Sequence, residues 1–314
     1  MEHTQQNGLE TAQVETFLAE HFGQEASNVL PIGQGEWSQA FSFQHVGKDY
    51  VIRFGQFDED FRKDQLASAF ASPKLPIPKV TEIGQAFGRY YAISARAFGD
   101  MLEGLNEVKM VATVPAVFSM LDAIRETDIS STTGYGNWNI QTIAPYQSWQ
   151  SFLLDVFNDP PASRTYGWRA SLASSPNGDE PFNKAFEVLK PLASKCPEER
   201  YLLHTDLLHY NVLTKDNEIT AVIDWGNAMY GDFLYELAAF IVWQPWYPAM
   251  QSIDWAAEAR KHYKSIGLEV PNFEERLLCY EISIGLVGMS YNAFKKNWKD
   301  LELTTKRTLE LALP

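Results

Sequence analysis

The chain has 314 residues with 26 basic and 40 acidic side chains, a net charge of −14 and 45% apolar residues. The apolar share supports a buried core and excludes wholesale disorder. The acidic balance argues against nucleic acid or an anionic membrane as partner, and two cysteines exclude a disulfide framework or a cysteine-built zinc site and fit a reducing cytoplasm.

No stretch approaches the ~20 uninterrupted apolar residues of a membrane span. The polar start MEHTQQNGLE predicts neither a signal nor a transit peptide. Val14, Phe17, Leu18, His21 and Phe22 form one apolar face and predict a helix over 11–22. Residues 29–36 read as a strand that runs into a glycine turn. Period-two alternation predicts strands over 40–46 and 50–54, joined by the turn Gly47-Lys48-Asp49. A helix over 60–70 and strands over 80–85 and 90–94 follow. The first ~95 residues thus read as a small, mostly antiparallel sheet with one inserted helix.

Beyond Ala97 the pattern is mainly helical. Thr113-Val114-Pro115 predicts a helix start, with Thr113 as cap and proline in the first turn, running to Thr127. Further helices are expected at 149–157, 180–194, 232–241, 253–265 and 273–294. Short strands are expected at 201–203, 211–214 and 219–223. Residues 1–98 carry 8 basic and 12 acidic side chains, and the rest carry 18 and 28, so most of the negative field lies in the second part.

The most informative stretch is His204-Thr205-Asp206-Leu207-Leu208-His209-Tyr210-Asn211, followed by Val222-Ile223-Asp224-Trp225. Asp206 and Asn211 flank a loop between two short strands, and Asp224 ends the next one. Three oxygen-bearing side chains are expected to converge at one end of a hairpin. Such hard ligands suit Mg²⁺, which takes its remaining ligands from water and phosphates. The other carboxylate would accept a proton from a substrate hydroxyl.

Asp-x₄-Asn with an Asp on the next hairpin resembles the catalytic loop and metal-binding Asp of protein kinases. The H-x-D form, with Ile223-Asp224-Trp225 and Gly231-Asp232, is similar to the aminoglycoside phosphotransferase family and within it most to hygromycin B phosphotransferases. Ala40–Phe43, Tyr50–Arg53, Leu75–Pro78, Thr220–Trp225, Ala228–Asp232 and Trp243–Trp246 carry that resemblance. It implies an α+β, bilobal, protein-kinase-like fold. A nucleotide-binding lobe would span residues 1–97, ending in a hinge at 94–97, and a catalytic and substrate-binding lobe would span 98–314.

The resemblance further implies an ATP- or GTP-dependent, Mg²⁺-dependent transfer to a hydroxyl of a small cationic molecule. Asp206 would be the catalytic base, and Asn211 and Asp224 the metal ligands. His204 would brace the loop, with Asp232 in support. Gly33, Gly35 and Ser38 would cover the phosphates. Arg53 stands where kinases place a lysine, with Asp64 (or Asp58 or Glu59) as its carboxylate partner. Ser94 and Arg96 would belong to the adenine-facing hinge. His209, Tyr210, Glu236, Trp243 and Trp246 would line the acceptor site. Thr205 stands where the family has a small residue, and Gly226 where it often has a larger polar one. An aminocyclitol antibiotic is the expected acceptor, with a metabolite kinase or a non-catalytic nucleotide-binding module as rivals. A cytoplasmic monomer is expected.

Overall fold

The computed structural model describes residues 8–23, 26–35 and 37–313. Residues 1–7, on which the reading of the N-terminus rests, and Glu36 of the glycine turn lie outside them. In chain order come α1 (Thr11–Phe22), β1 (Ala26–Gln34), β2 (Ser38–His45), β3 (Lys48–Gly55), α2 (Asp58–Ala67), β4 (Val80–Ala86), β5 (Arg89–Ala95) and β6 (Asp100–Met101). Next are α3 (Glu107–Arg125), β7 (Gly136–Asn137), α4 (Trp149–Asp155), α5 (Trp168–Ala173) and α6 (Glu180–Ala193). Then follow β8 (Tyr201–Leu203), β9 (Val212–Lys215), β10 (Glu218–Val222), β11 (Met229–Gly231), α7 (Leu234–Trp243), α8 (Trp255–Ser265), α9 (Phe273–Phe294) and α10 (Trp298–Ala312).

The chain forms two compact units: 1–100 with 211–226, and 101–210 with 227–314. The boundary expected from sequence, 97/98, falls three residues earlier and leaves the β9–β10 hairpin in the second part. In the structure this hairpin belongs to the first unit. Val222 N–H bonds the Pro76 carbonyl (2.8 Å), and Thr220 Oγ1 bonds the Phe98 carbonyl (2.9 Å).

The first unit is an antiparallel sheet in the order β1-β2-β3-β5-β4. Strand alternation divides its side chains between two layers. Ile52 and Phe54 of β3, with Tyr91 and Ile93 of β5, join Val14 and Leu18 of α1 in the main core. Arg53 and Ala92 point the other way. Ala92 packs with Phe61 of α2 and Val80, and the Arg53 guanidinium lies 5.2 Å from the Phe61 ring centroid. The alternation that buries Ile52 and Phe54 therefore aims Arg53 at α2.

The second unit is mainly helical. α9 packs against α5, α6, α7 and α10. It is long and apolar enough to cross a membrane, but 67% of that stretch is buried within the protein, as for a core helix. A small sheet, β7-β11-β8, lies in the same unit. α3 begins at Asn106, whose side chain accepts from Lys109 N–H (3.0 Å), two turns before the expected cap. Thr113 instead bonds back to the Lys109 carbonyl (2.8 Å). Pro115 lies inside the helix on its exposed side, where its ring meets solvent. α10, unanticipated from sequence, starts on the Asn297 cap.

Candidate functional site

The first unit presents a charged array. Asp64 on α2 is 5% exposed and bonds the Arg53 guanidinium. Its other oxygen accepts the Trp225 N–H at 2.6 Å. The neighbouring Lys63, also buried, donates to the Gly226 carbonyl at 2.6 Å. Of the three carboxylates expected for Arg53, Asp64 is the partner, because its position on α2 faces Arg53 while Asp58 pairs with Arg62 (2.8 Å). Burial alone would lower the Arg53 pKa, but Asp64, Asp224 and Asp60 outweigh it, and the net direction is up. The cation is fixed and charged.

Asn211 and Asp224 lie at the mouth of the β9–β10 hairpin. The Ile223 N–H bonds the Asn211 carbonyl (2.9 Å), which sets Asn211 beside the residue before Asp224. Asp224 is exposed and has φ +63, uncommon for a residue with a Cβ. An amide oxygen and an exposed carboxylate are hard donors of the kind Mg²⁺ accepts alongside water and phosphate. Among the described residues no group of three or more His, Cys, Asp or Glu side chains could hold a metal by itself. Asp206 belongs to the other unit, so the first unit holds two of the three side chains expected to converge.

The glycine turn is closed by the Gly35 N–H on the Ser38 carbonyl (2.8 Å). A Cβ at Gly33 would meet nothing within 4 Å, so the turn leaves open space there. Ser38 itself starts β2 opposite Gly55. At the expected hinge, Ser94 pairs with Val51 in the sheet. The N–H groups of Ala95 and Arg96 are bonded to the carbonyls of Lys79 (3.2 Å) and Asp49 (3.1 Å). These two donors therefore do not face an adenine, which corrects that part of the expectation. Arg96 lies over the Phe98 ring (4.9 Å). A cavity of about 570 Å³ opens beside this stretch, bordered by Ala95–Ala97, Pro76–Lys79 and Thr220.

The second unit holds Asp206. Its side chain is 29% exposed, and one oxygen is 2.8 Å from His209 Nδ1. The other is 3.4 Å from Asn227 Nδ2. The Asp206 N–H bonds His204 Nδ1 (3.2 Å). Thr205, His209 and Tyr210 have φ of +69, +73 and +68. Such left-handed non-glycine residues persist only where their surroundings hold them. Thr205 is held twice, by its N–H on Glu236 (3.0 Å) and its hydroxyl on the Asn227 carbonyl (3.1 Å).

Glu236 therefore serves the loop and not the acceptor, contrary to the sequence-based expectation. It is 3% exposed, and one oxygen takes the N–H groups of both His204 and Thr205. Burial pushes its pKa up to about 7 against the pull of those two bonds, and Asp206 adds to the rise. Asp232, expected to support the loop, is fully buried. Its carboxylate receives Arg276 at 2.7 and 2.8 Å and the Tyr280 hydroxyl, tying the start of α7 to α9. The preceding Gly231 has no alternative: a Cβ there would lie 2.2 Å from the Trp149 ring.

Aromatic rings surround His209. Trp243 stands edge-on at 5.6 Å, Tyr247 at 6.3 Å, and Trp246 packs on Trp243 at 5.3 Å. His209 thus joins Asp206 to the ring pair Trp243–Trp246, while Tyr210 is 59% exposed. Lys63, Asn227 and Glu103, which accepts the Tyr210 N–H at 2.8 Å, are not among the residues expected from sequence. Asn227 had a weak signal, two residues beyond Ile223-Asp224-Trp225. Glu103, 107 residues from its partner, had none.

Residues 144–268 match the model of the phosphotransferase enzyme family, APH. The chain is 35% identical over 294 residues to hygromycin-B 4-O-kinase of Escherichia coli, covering 93% of this chain and 82% of that protein. The crystal structure of aminoglycoside phosphotransferase APH(4)-Ia is similar at a TM-score of 0.85 and 32% identity, over 96% of this chain and 98% of that one. A thermostable mutant of that enzyme, in ternary complex with AMP-PNP and hygromycin B, matches at a TM-score of 0.84 and 33% identity with the same coverage. Aminoglycoside 2'-phosphotransferase-IIIa in its GDP complex shares the fold, at a TM-score of 0.63 and 14% identity over 98% of this chain and 99% of that one.

Proposed function

The chain belongs to the aminoglycoside phosphotransferase family, with its α+β kinase-like fold and its transfer of phosphate to a hydroxyl, and from that premise we propose that it phosphorylates an aminocyclitol antibiotic of the hygromycin B class with ATP and Mg²⁺. The observation that carries this reading is the 35% identity to hygromycin-B 4-O-kinase over most of both chains. The ternary complexes of the similar enzyme with AMP-PNP or ADP and hygromycin B support it.

Asp206 orients the acceptor hydroxyl. An aspartate is a weak base against an alcohol, so its contribution is mainly positioning, with the proton taken up late in a loose transition state. Arg53, held by Asp64, offers a fixed positive charge to the nucleotide phosphates. Gly33, Gly35 and Ser38 would cover them. Asn211 and Asp224 would hold Mg²⁺, which when bound neutralises charge on the transferring phosphoryl group. His204, Glu236 and Asn227 fix the geometry of the loop carrying Asp206.

The acceptor wall of Trp243, Trp246 and Tyr247 gives flat faces to sugar rings. The residues after position 98 carry a charge of −10, which attracts a polycation. Adding about two negative charges to such a polycation weakens its fit to an anionic RNA target. Two cysteines in 314 residues fit action in a reducing cytoplasm. Incubation with ATP, Mg²⁺ and hygromycin B should yield a phosphorylated antibiotic. Nucleotide turnover that responds to small neutral alcohols but not to hygromycin B would sink the acceptor assignment.

A further inference from the structure

We propose that Glu103 is a positioning residue for Asp206, acting through the turn that carries His209 and Tyr210; this rests on the phosphotransfer role of Asp206 argued above. Glu103 lies in the short turn Leu102–Gly104 ahead of α3. One of its oxygens accepts the Tyr210 N–H at 2.8 Å. The other is buried with no hydrogen-bond partner among the described residues. A carboxylate so placed is costly to bury, and burial raises its pKa despite the bond to Tyr210. Apart from its own backbone, the carboxylate's hydrogen bonding among the described residues comes down to one contact with the catalytic loop.

That contact falls where the loop most needs holding. His209 and Tyr210 are consecutive left-handed residues with φ +73 and +68, a conformation that persists only when neighbours fix it. The His209 ring reaches back to Asp206 at 2.8 Å and rests edge-on against Trp243. Holding the Tyr210 N–H sets the turn, the turn sets His209, and His209 fixes one oxygen of Asp206. Asn227 Nδ2 approaches the second Asp206 oxygen at 3.4 Å, a longer contact that holds the carboxylate less firmly than His209 does.

Glu103→Ala and Glu103→Gln separate this role from a purely structural one. Each variant is assayed with ATP and hygromycin B, with ATP affinity and Tm measured in parallel. Glu103→Ala should lower kcat by about 10–100-fold, with ATP affinity within about twofold and Tm not reduced. Glu103→Gln, whose amide oxygen accepts the same N–H, should recover most of that loss. Wild-type kcat in Glu103→Ala, or a kcat loss accompanied by a matching loss of Tm, would overturn the proposal. So would Glu103→Gln as slow as Glu103→Ala, which would assign the effect to charge. The His209 ring resonances of the free protein give a readout independent of the acceptor. They should shift in Glu103→Ala and stay in place in Glu103→Gln. Unchanged resonances in both variants would overturn the proposal even if wild type fails to phosphorylate hygromycin B, an outcome that counts against the acceptor alone.

Discussion

The Asp64 carboxylate accepts the backbone N–H of Trp225 at 2.6 Å, across 161 positions of sequence, while its other oxygen holds Arg53. One buried side chain thus links Arg53 to the segment that begins with Asp224. A carboxylate that only balanced Arg53 would have no need of the second bond.

Removing this link should affect binding and folding together. Asp64→Ala strands a half-buried guanidinium and an unbonded N–H, and breaking such a pair costs up to about 3–5 kcal/mol. The KM for ATP should rise by roughly 10–100-fold with a clear fall in Tm. Asp58→Ala, which removes only the exposed partner of Arg62, should leave both nearly unchanged. Steady-state kinetics and thermal unfolding of the two variants check this.

Asp224→Ala should abolish the Mg²⁺ dependence of nucleotide binding, because the remaining donor, Asn211, is neutral and single. Calorimetric titration of ATP with and without Mg²⁺ measures it. Equal affinities under the two conditions in wild type would remove Asp224 from the metal.

For a polycationic acceptor, kcat/KM should fall steadily as ionic strength rises from about 0.01 to 0.15 M, over which the screening length shrinks from ~30 to ~8 Å. The KM for ATP provides the comparison. A flat response would show that the negative field does not steer the acceptor.

Glu281 on α9 is 7% exposed. Burial pushes its carboxyl from the usual 4.5 up to about 7, outweighing the attraction of Arg307. The folded state therefore holds a proton there that the unfolded state has released. Stability is lost as pH rises from about 4.5 through 7 and stays reduced above. Glu281→Gln should be more stable than wild type at pH 8, by roughly 1–3 kcal/mol, and should lose that advantage by pH 5. Melting curves across this range test the sign.

The sheet and the Asp206–Asn211–Asp224 spacing were legible because each rests on local pattern. Alternation in Tyr50-Val51-Ile52-Arg53-Phe54 placed Arg53 on the face away from the main core, and α2 supplied Asp64 as expected. The start of α3 was not legible, because proline commonly marks a first turn and nothing local shows that Pro115 faces solvent inside a longer helix. A carboxylate near a helix start has several uses, so the sequence alone does not separate an acceptor role for Glu236 from a structural one. Only the tertiary placement of α7 shows its oxygen between the N–H groups of His204 and Thr205. Glu103 is invisible for the same reason: its bond to the Tyr210 N–H depends on two segments 107 residues apart.

The most direct measurement is transfer of radiolabelled γ-phosphate from ATP to hygromycin B by wild type and by Asp206→Asn. Wild type should label the antibiotic. Asp206→Asn should lose about 10²–10⁴ in kcat while binding ATP normally. Undiminished labelling by the variant, or none by wild type under conditions where it binds ATP and Mg²⁺, would contradict the account.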